Sequence, residues 1–319
     1  MNKINVCFAT DNNYAKYMGL ALMSVLKSAN KEDHLHFYIL DNQIKQEEKE
    51  KIATLQKIKP FEITYIPIDE KSFSNLYIHQ KGLSPTAYAR FLIAKLIDEE
   101  KVLYLDCDIF ARKSLAPLFN LDISNYYIAG VLDYAMRKSY LLSMFKDKNL
   151  VNNYLNSGVL LINNKKWKEE SITDLLFKYA KTNNGILHYA DQDCLNYLLH
   201  SRVLKIGVTW NMYNHYYDPY LVNKAPNKAE ILKAQKDPAI RHFKPWKVNN
   251  VQLFRDEYLE MMKTSPWAEF TPKDDLYLTN FMKILFKYWL RYPAFFLTPK
   301  FYIRVKHLGF RNTILRVID

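Results

Sequence analysis

The sequence predicts an α/β fold, a mostly parallel sheet with helices on both faces. Three observations predict it. Short apolar runs alternate with helix-period segments through the first third of the chain, the βαβαβ rhythm of strands joined by covering helices. The run Lys101–Leu105 (KVLYL) is β-branched and aromatic, as a buried strand requires, and two carboxylates follow it directly. A composition of 49% hydrophobic and 24% charged residues over 319 positions supplies one or two cores and excludes disorder, collagen and a small disulfide scaffold.

Taken in order, strands are predicted over 4–9, 35–40 and 61–68, with helices over 14–28 and 45–58 between them. Ser84-Pro85 supplies a start signal for a helix over 83–97, ahead of the strand Lys101–Leu105. Two more strands are expected over 127–132 and 159–163, then helices over 165–179 and 192–199. The stretch 210–220 is too rich in aromatics and turn residues to assign. His242 follows a short apolar strand at Ala239-Ile240. Composition changes near residue 265, which divides the chain into an α/β unit over 1–265 and a tail over 266–319 punctuated by Pro266, Pro272, Pro293 and Pro299.

The seven glycines, at 19, 82, 130, 158, 185, 207 and 309, are too far apart for a G-x-G-x-x-G turn or a P-loop. Any phosphate must be held by something else, such as a metal. Cys7, Cys107 and Cys194 form no C-x-x-C pair, which argues against a disulfide framework or thiolate zinc site. The N-terminus is too short and polar for a signal peptide, and no apolar run is long enough to span a membrane, so the expected location is cytoplasmic. Net charge is +12, and residues 281–319, with eight bases against the single acid Asp319, hold +7 of it. On a helix, Lys283, Lys287 and Arg291 make one basic stripe beside Phe281, Leu285, Tyr288 and Trp289. This tail is expected to dock on an anionic membrane surface, peripherally on the inner face of the cell membrane. A tail packed on the protein's own core is the alternative.

Asp106-Cys107-Asp108 places two carboxylates at the carboxyl edge of the sheet, where ligands bind in open α/β folds. Roughly three acid-x-acid triplets arise by chance in a chain this acidic, so the motif is weak alone. Fixed at a strand end in a chain without glycine phosphate loops, the pair offers the hard oxygen ligands that Mn²⁺ or Mg²⁺ needs to hold a diphosphate.

Six blocks then carry a resemblance: FATDNNY from Phe8, SPTAYARF from Ser84, VLYLDCD from Val102, NSGVLLIN from Asn156, DQDCLN from Asp191 and HFKPW from His242. In this order the sequence resembles glycosyltransferase family 8, which includes lipooligosaccharide galactosyl- and glucosyltransferases and glycogenin. The resemblance implies a GT-A type, Rossmann-like fold and a retaining, metal-dependent transferase. Such an enzyme moves galactose or glucose from a UDP-sugar to a saccharide or lipid-linked saccharide of lipopolysaccharide or lipooligosaccharide core type. Carried over residue by residue, Asp106, Asp108 and His242 would ligate Mn²⁺, with Mg²⁺ as the alternative ion. Ala9, Asp11, Asn13 and Tyr14 would hold the nucleotide, and Lys244 would contact phosphate. Arg90, Asp133 and Asn156 would bind sugar, while Asp191 and Gln192 would be the catalytic pair, with Gln192 under the anomeric carbon. His242 to Trp246 runs without the glycine-containing segment that relatives carry inside this block.

Simpler roles stand beside these. Asp11 suits a helix cap, Arg90 needs only some buried anion partner, and Gln192 is well placed to start a helix. A D-x-D phosphohydrolase is disfavoured because Phe110 stands where that motif places a Thr. A basic nucleic-acid-binding protein is disfavoured because the charge sits in a tail outside the α/β region, and no nucleic-acid partner is expected.

Overall fold

The computed structural model describes residues 2–271 apart from 74, 77, 79–83, 135, 137, 218 and 244–252, and residue 286. Nine strands occur among them: β1 (Asn2–Asp11), β2 (Asp33–Asn42), β3 (Glu62–Pro67), β4 (Lys101–Leu105), β5 (Ile109–Ala111), β6 (Ile128–Leu132), β7 (Leu155–Asn163), β8 (Val203–Lys205) and β9 (Ile240–His242). Seven form one sheet in the order β3-β2-β1-β4-β7-β6-β8, and β5 pairs with β9 in a small antiparallel ribbon. The sheet is mostly parallel, as the sequence rhythm predicts, with one reversal. β7 runs antiparallel to both of its neighbours, β4 and β6.

Side chains alternate between two cores. Ile4, Val6 and Phe8 of β1, with Phe37, Leu103, Leu105, Val159 and Leu161, face α1 (Ala15–Ser28). Cys7, Leu40, Val102, Tyr104, Leu160 and Ile162 face the other way, the period of two that strand geometry imposes. Along the chain there follow α2 (Gln46–Ala53), α3 (Ile93–Leu96), α4 (Ala116–Phe119), α5 (Lys138–Phe145) and α6 (Lys148–Asn153). After β7 come α7 (Asn164–Glu169), α8 (Ile172–Thr182), α9 (Ala190–Leu199), α10 (Pro219–Lys224), α11 (Lys228–Ala234) and α12 (Arg255–Lys263). α8 and α9 cover the second core, and α12 joins α1 over the first.

Several elements depart from the sequence reading for physical reasons. The helix expected over 83–97 is a 3₁₀ run, Pro85–Leu92, that becomes α-helical only at α3. Tyr88, Ala89, Arg90 and Phe91 are all buried in succession, so there is no solvent-facing stripe for a regular amphipathic helix to keep. The helix expected over 165–179 is two helices, broken where Ser171 takes the left-handed conformation (φ 52°). β5, α4, α5 and α6 are too short to show a period. β7 begins four residues earlier than expected, and all nine of its residues are buried.

Packing continues past residue 265. Trp267 is fully buried, lies against α1 and donates its indole N–H to Glu48 at 2.7 Å. The rest of the 266–319 tail beyond Thr271, Phe286 excepted, lies outside the described residues, as does Lys244. No helix among the described residues is long and apolar enough to cross a membrane.

Gly19 is where α1 meets this tryptophan. A Cβ there would stand 2.1 Å from Trp267 Cη2 and within 2.8 Å of two further ring carbons. Alanine gains about 1 kcal/mol over glycine inside a helix, while overpacking a buried ring costs about 1–3 kcal/mol, and a contact this short puts the clash ahead. Gly19→Ala is therefore expected to lower the urea midpoint of unfolding with an unchanged m-value. A midpoint equal to or above wild type would show that Trp267 yields its place freely.

Candidate active site

The reversal of β7 assembles the site. Because β7 opposes β4, its first residues lie beside the last residues of β4: Leu105 pairs with Val159, and the Asp106 N–H donates to the Gly158 carbonyl at 2.8 Å. Asn156, Ser157 and Gly158 therefore arrive where Asp106-Cys107-Asp108 leaves the sheet. The ribbon brings the third partner, since Ile109 pairs with His242 and the Phe243 N–H donates to the Asp108 carbonyl at 2.9 Å. Three residues separated by up to 136 positions thus converge, and among the described residues Asp106, Asp108 and His242 bring one ligand atom each to within 4.8 Å of one another.

His242 Nε2 lies 3.0 Å from Asp108 Oδ1 and 3.8 Å from Asp106 Oδ2, yet it is buried and makes no hydrogen bond. His242 Nδ1 is already engaged by Asn211 Oδ1 at 2.8 Å. Two carboxylates and an unbonded ring nitrogen aimed at one point suit a divalent cation of the Mn²⁺ type, for which mixed oxygen and imidazole ligation is favourable. Gly158 provides the floor. A Cβ on it would stand 2.3 Å from His242 Cε1 and 2.7 Å from Asp106 Oδ2, so any side chain there would fill the space between the ligands.

Arg90 holds the second oxygen of Asp106. Its NH2 group donates to Asp106 Oδ1 at 3.0 Å, its NH1 group to the Ser157 carbonyl at 2.7 Å, and its Nε lies 3.2 Å from Asp191 Oδ2. The guanidinium also stacks over Tyr104 at 4.3 Å, and the Tyr104 hydroxyl donates to Asp106 Oδ1 at 3.1 Å. Burial opposes the charge of Arg90, but Asp191 and then Tyr104 and Asp106 hold its proton more firmly than usual. The buried-anion role weighed for Arg90 is thus filled by two carboxylates of the site itself.

Gln192, Asp133 and Asn156 make an adjoining polar cluster. Gln192 Oε1 accepts from the Ser157 N–H at 3.1 Å and from Asn156 Nδ2 at 3.3 Å, while its Nε2 donates to Asp133 Oδ2 at 3.1 Å. Asp133 also accepts from Asn156 Nδ2 at 3.3 Å and from the Tyr213 hydroxyl at 2.6 Å. Burial and then Asp133 push the Tyr213 hydroxyl well up, so it stays a donor. The start of α9 carries Asp191 and Gln192, and Asn196 one turn on clamps this helix to β7. It accepts from the Leu155 N–H at 2.6 Å and donates to the Leu155 carbonyl at 2.8 Å. Asp193 anchors the same turn by accepting from Tyr154 and Tyr140 hydroxyls and the Tyr189 N–H; burial nonetheless pushes its carboxyl up.

The predicted nucleotide residues lie at the end of β1. Cys107 Sγ donates to the Ala9 carbonyl at 3.5 Å, which sets Ala9 against the acidic motif. Asp11 Oδ1 accepts from the Tyr14 N–H at 3.0 Å in a turn just ahead of α1, whereas the cap position of α1 itself is Tyr14, with no side-chain capping bond, so Asp11 is not the helix cap. Asn13 and Tyr14 are exposed on this rim, and burial followed by the Asp108 carboxylate pushes the Tyr14 hydroxyl up. Gly158, Asn211, Tyr104 and Tyr213 also contact the candidate site residues, and sequence reasoning gave them no role. Only Gly158 had a signal available, as a glycine inside an otherwise apolar strand, which marks close approach of another group.

Residues 5–250 match glycosyl transferase family 8. A putative glycosyltransferase of Haemophilus influenzae is 33% identical over 65% of this chain, and the match spans 63% of that protein. The lipopolysaccharide 1,2-glucosyltransferase of Escherichia coli K12 is 25% identical over 88% of this chain and 83% of its own length. Among solved structures, galactosyltransferase LgtC in complex with donor and acceptor sugar analogs superposes with a TM-score of 0.73 at 25% identity, covering 82% of this chain and 96% of that one. Because the family match spans residues 5–250, well over half of its length, the chain belongs to glycosyl transferase family 8, and it has the GT-A fold.

Proposed function

We propose that this protein is a retaining, metal-dependent hexosyltransferase that moves galactose or glucose from a UDP-sugar to a hydroxyl of a saccharide acceptor. The acceptor is of the lipopolysaccharide or lipooligosaccharide core type, a reading supported by the lipopolysaccharide glucosyltransferase among the relatives. The observation that carries the proposal is the convergence of Asp106, Asp108 and the unbonded Nε2 of His242 beside the Gln192–Asp133–Asn156 cluster.

In this reading Asp106, Asp108 and His242 hold Mn²⁺, or Mg²⁺ in its place. Bound there, the cation supplies Lewis-acid neutralisation of the negative charge that grows on the leaving diphosphate, worth several kcal/mol in the transition state. The chain's own residues do the rest. Asp11, with Ala9, Asn13 and Tyr14, holds the uridine at the end of β1, and Lys244 contacts phosphate. Arg90 fixes Asp106 and Asp191 at the edge of the sugar pocket, where Asp133 and Asn156 bind hydroxyls. Gln192 presents an amide to the anomeric carbon, with its oxygen already accepting hydrogen bonds. A neutral, occupied oxygen is a poor nucleophile, and Asp133 and Asp191 are themselves held by donors. That supports a short-lived oxocarbenium-like species attacked from the side of departure, with the leaving phosphate taking the acceptor's proton. Retaining glycosidases reach the same outcome with a free carboxylate nucleophile.

Three measurements test the reading. Asp108→Asn is expected to lower kcat by about 100-fold or more, equivalent to about 2.7 kcal/mol, and to remove the thermal stabilisation that UDP plus Mn²⁺ gives wild type; wild-type turnover would remove Asp108 from the site. Gly158→Ala is expected to weaken Mn²⁺ binding at least tenfold in calorimetry, because its methyl group occupies the space between His242 and Asp106. An α-linked donor is expected to give an α-linked product, read from the anomeric proton coupling in NMR, and a β-linked product would exclude retention.

The tail over 281–319, of which the structure describes Phe286 alone, is proposed to dock the enzyme peripherally on the inner face of the membrane, where lipid-linked acceptors are found. Each Lys or Arg near an anionic surface contributes about 1 kcal/mol. Full-length protein is expected to sediment with anionic vesicles at low salt, and a chain ending at Asn280 is expected to remain in the supernatant while still hydrolysing donor. Equal sedimentation of the two would return the tail to a packing role.

A further inference from the structure

We propose that Asn211 is a positioning residue that fixes the tautomer of His242 and couples the metal ligands to the sugar pocket. This inference rests on the metal-binding role assigned to Asp106, Asp108 and His242. One group in this chain of bonds has no choice of role. The backbone N–H of Gly158 can only donate, and it donates to Asn156 Oδ1 at 3.1 Å. That oxygen is therefore the carbonyl of the Asn156 amide. The atom of Asn211 that lies 2.8 Å from it must then be the Nδ2 donor, which leaves the Asn211 carbonyl oxygen facing His242 Nδ1 at 2.8 Å. A carbonyl accepts, so Nδ1 carries the proton and the lone pair of Nε2 points at Asp106 and Asp108.

Each link in this chain is shielded from water. Asn211 is fully buried, and Asn156 and His242 are nearly so, so no solvent molecule competes for the amides. The backbone holds the register as well. The Met212 N–H donates to the Ile240 carbonyl at 3.0 Å and the His242 N–H to the Met212 carbonyl at 3.0 Å, which seats Asn211 beside β9. Tyr213, two residues on, donates to Asp133. One short segment thus orients the metal-ligating imidazole and a carboxylate of the sugar pocket together. At the other end of the relay, Asn156 Nδ2 donates to both Asp133 and Gln192, so the proton order imposed at Gly158 reaches the amide placed at the anomeric carbon.

Partners that orient a ligating histidine typically change metal affinity by 10–100-fold when removed. The test uses full-length wild type and Asn211→Leu, a near-isosteric change that deletes both hydrogen bonds. Mn²⁺ affinity is measured by calorimetry without donor, and the His242 ring nitrogens are followed by ¹⁵N NMR in metal-free protein with the imidazole neutral. Wild type is expected to show the Nδ1–H tautomer. The variant is expected to bind Mn²⁺ about 10–100-fold more weakly and to shift toward the Nε2–H form, changes that a mere packing role would not produce. A wild-type Nε2–H tautomer overturns the proposal, and this holds even if the variant does not fold. A folded variant with unchanged Mn²⁺ affinity overturns the relay alone. Wild type that takes up no Mn²⁺ overturns the metal assignment and the relay with it.

Discussion

The site depends on the direction of one strand. In a wholly parallel sheet the start of each strand lies at the edge opposite the end of its neighbours, and for a strand of nine residues that separation is about 30 Å. Running β7 against β4 removes the whole of it. Asn156, Ser157 and Gly158 then meet Asp106 at hydrogen-bond distance, on the edge where β1 also ends and α9 begins. Each other element of the site is fastened to that junction: Arg90 through the Ser157 carbonyl, Gln192 through the Ser157 N–H, and α9 through the exchange between Asn196 and Leu155.

The junction concentrates negative charge. Asp106 and Asp108 each bring an oxygen within 4.8 Å of the other, and Arg90 is bonded to Asp106 and lies against Asp191. Two like charges about 4 Å apart near a protein surface repel by about 4 kcal/mol, a scale on which the Arg90 guanidinium favours both carboxylates it meets. Neutral donors share the load: Tyr104 on Asp106, and Tyr213, Asn156 and Gln192 on Asp133. In the proposed function, a cation held by Asp106 and Asp108 would relieve the repulsion between these two carboxylates. The tyrosine-rich composition has a physical use here, because a phenol both fills an apolar core and donates to a carboxylate without adding charge.

The chemistry-bearing residue types were legible in the chain because they cluster at element ends. Asp106 and Asp108 follow a strand whose apolar run is unmistakable, and Asp191 and Gln192 open a periodic helix. Arg90 was legible as a buried cation in need of an anion, though not as the residue that links Asp106 to Asp191. The supporting residues were not legible. Asn211 lies in the aromatic stretch 210–220 that shows no period, and its importance is set by His242 and Asn156, which are 31 and 55 positions away. β5 spans three residues, too few for any periodic signal, yet it sets the position of His242.

The sequence by itself determined the alternation of strands and helices, the two-sided burial of the central strands, the absence of a glycine phosphate cradle and the placement of two carboxylates at a strand end. These follow from local properties: side-chain period, residue volume, glycine spacing and the order of motifs. Only the tertiary structure decided that β7 runs backwards, that Gly158 must lack a side chain, and that an asparagine chain sets which nitrogen of His242 bears a proton. Those outcomes depend on strand direction, on approach between residues far apart in the chain and on the one-way donation of a buried N–H. An apolar run reads the same in either direction, so its contacts exist only once the chain has folded.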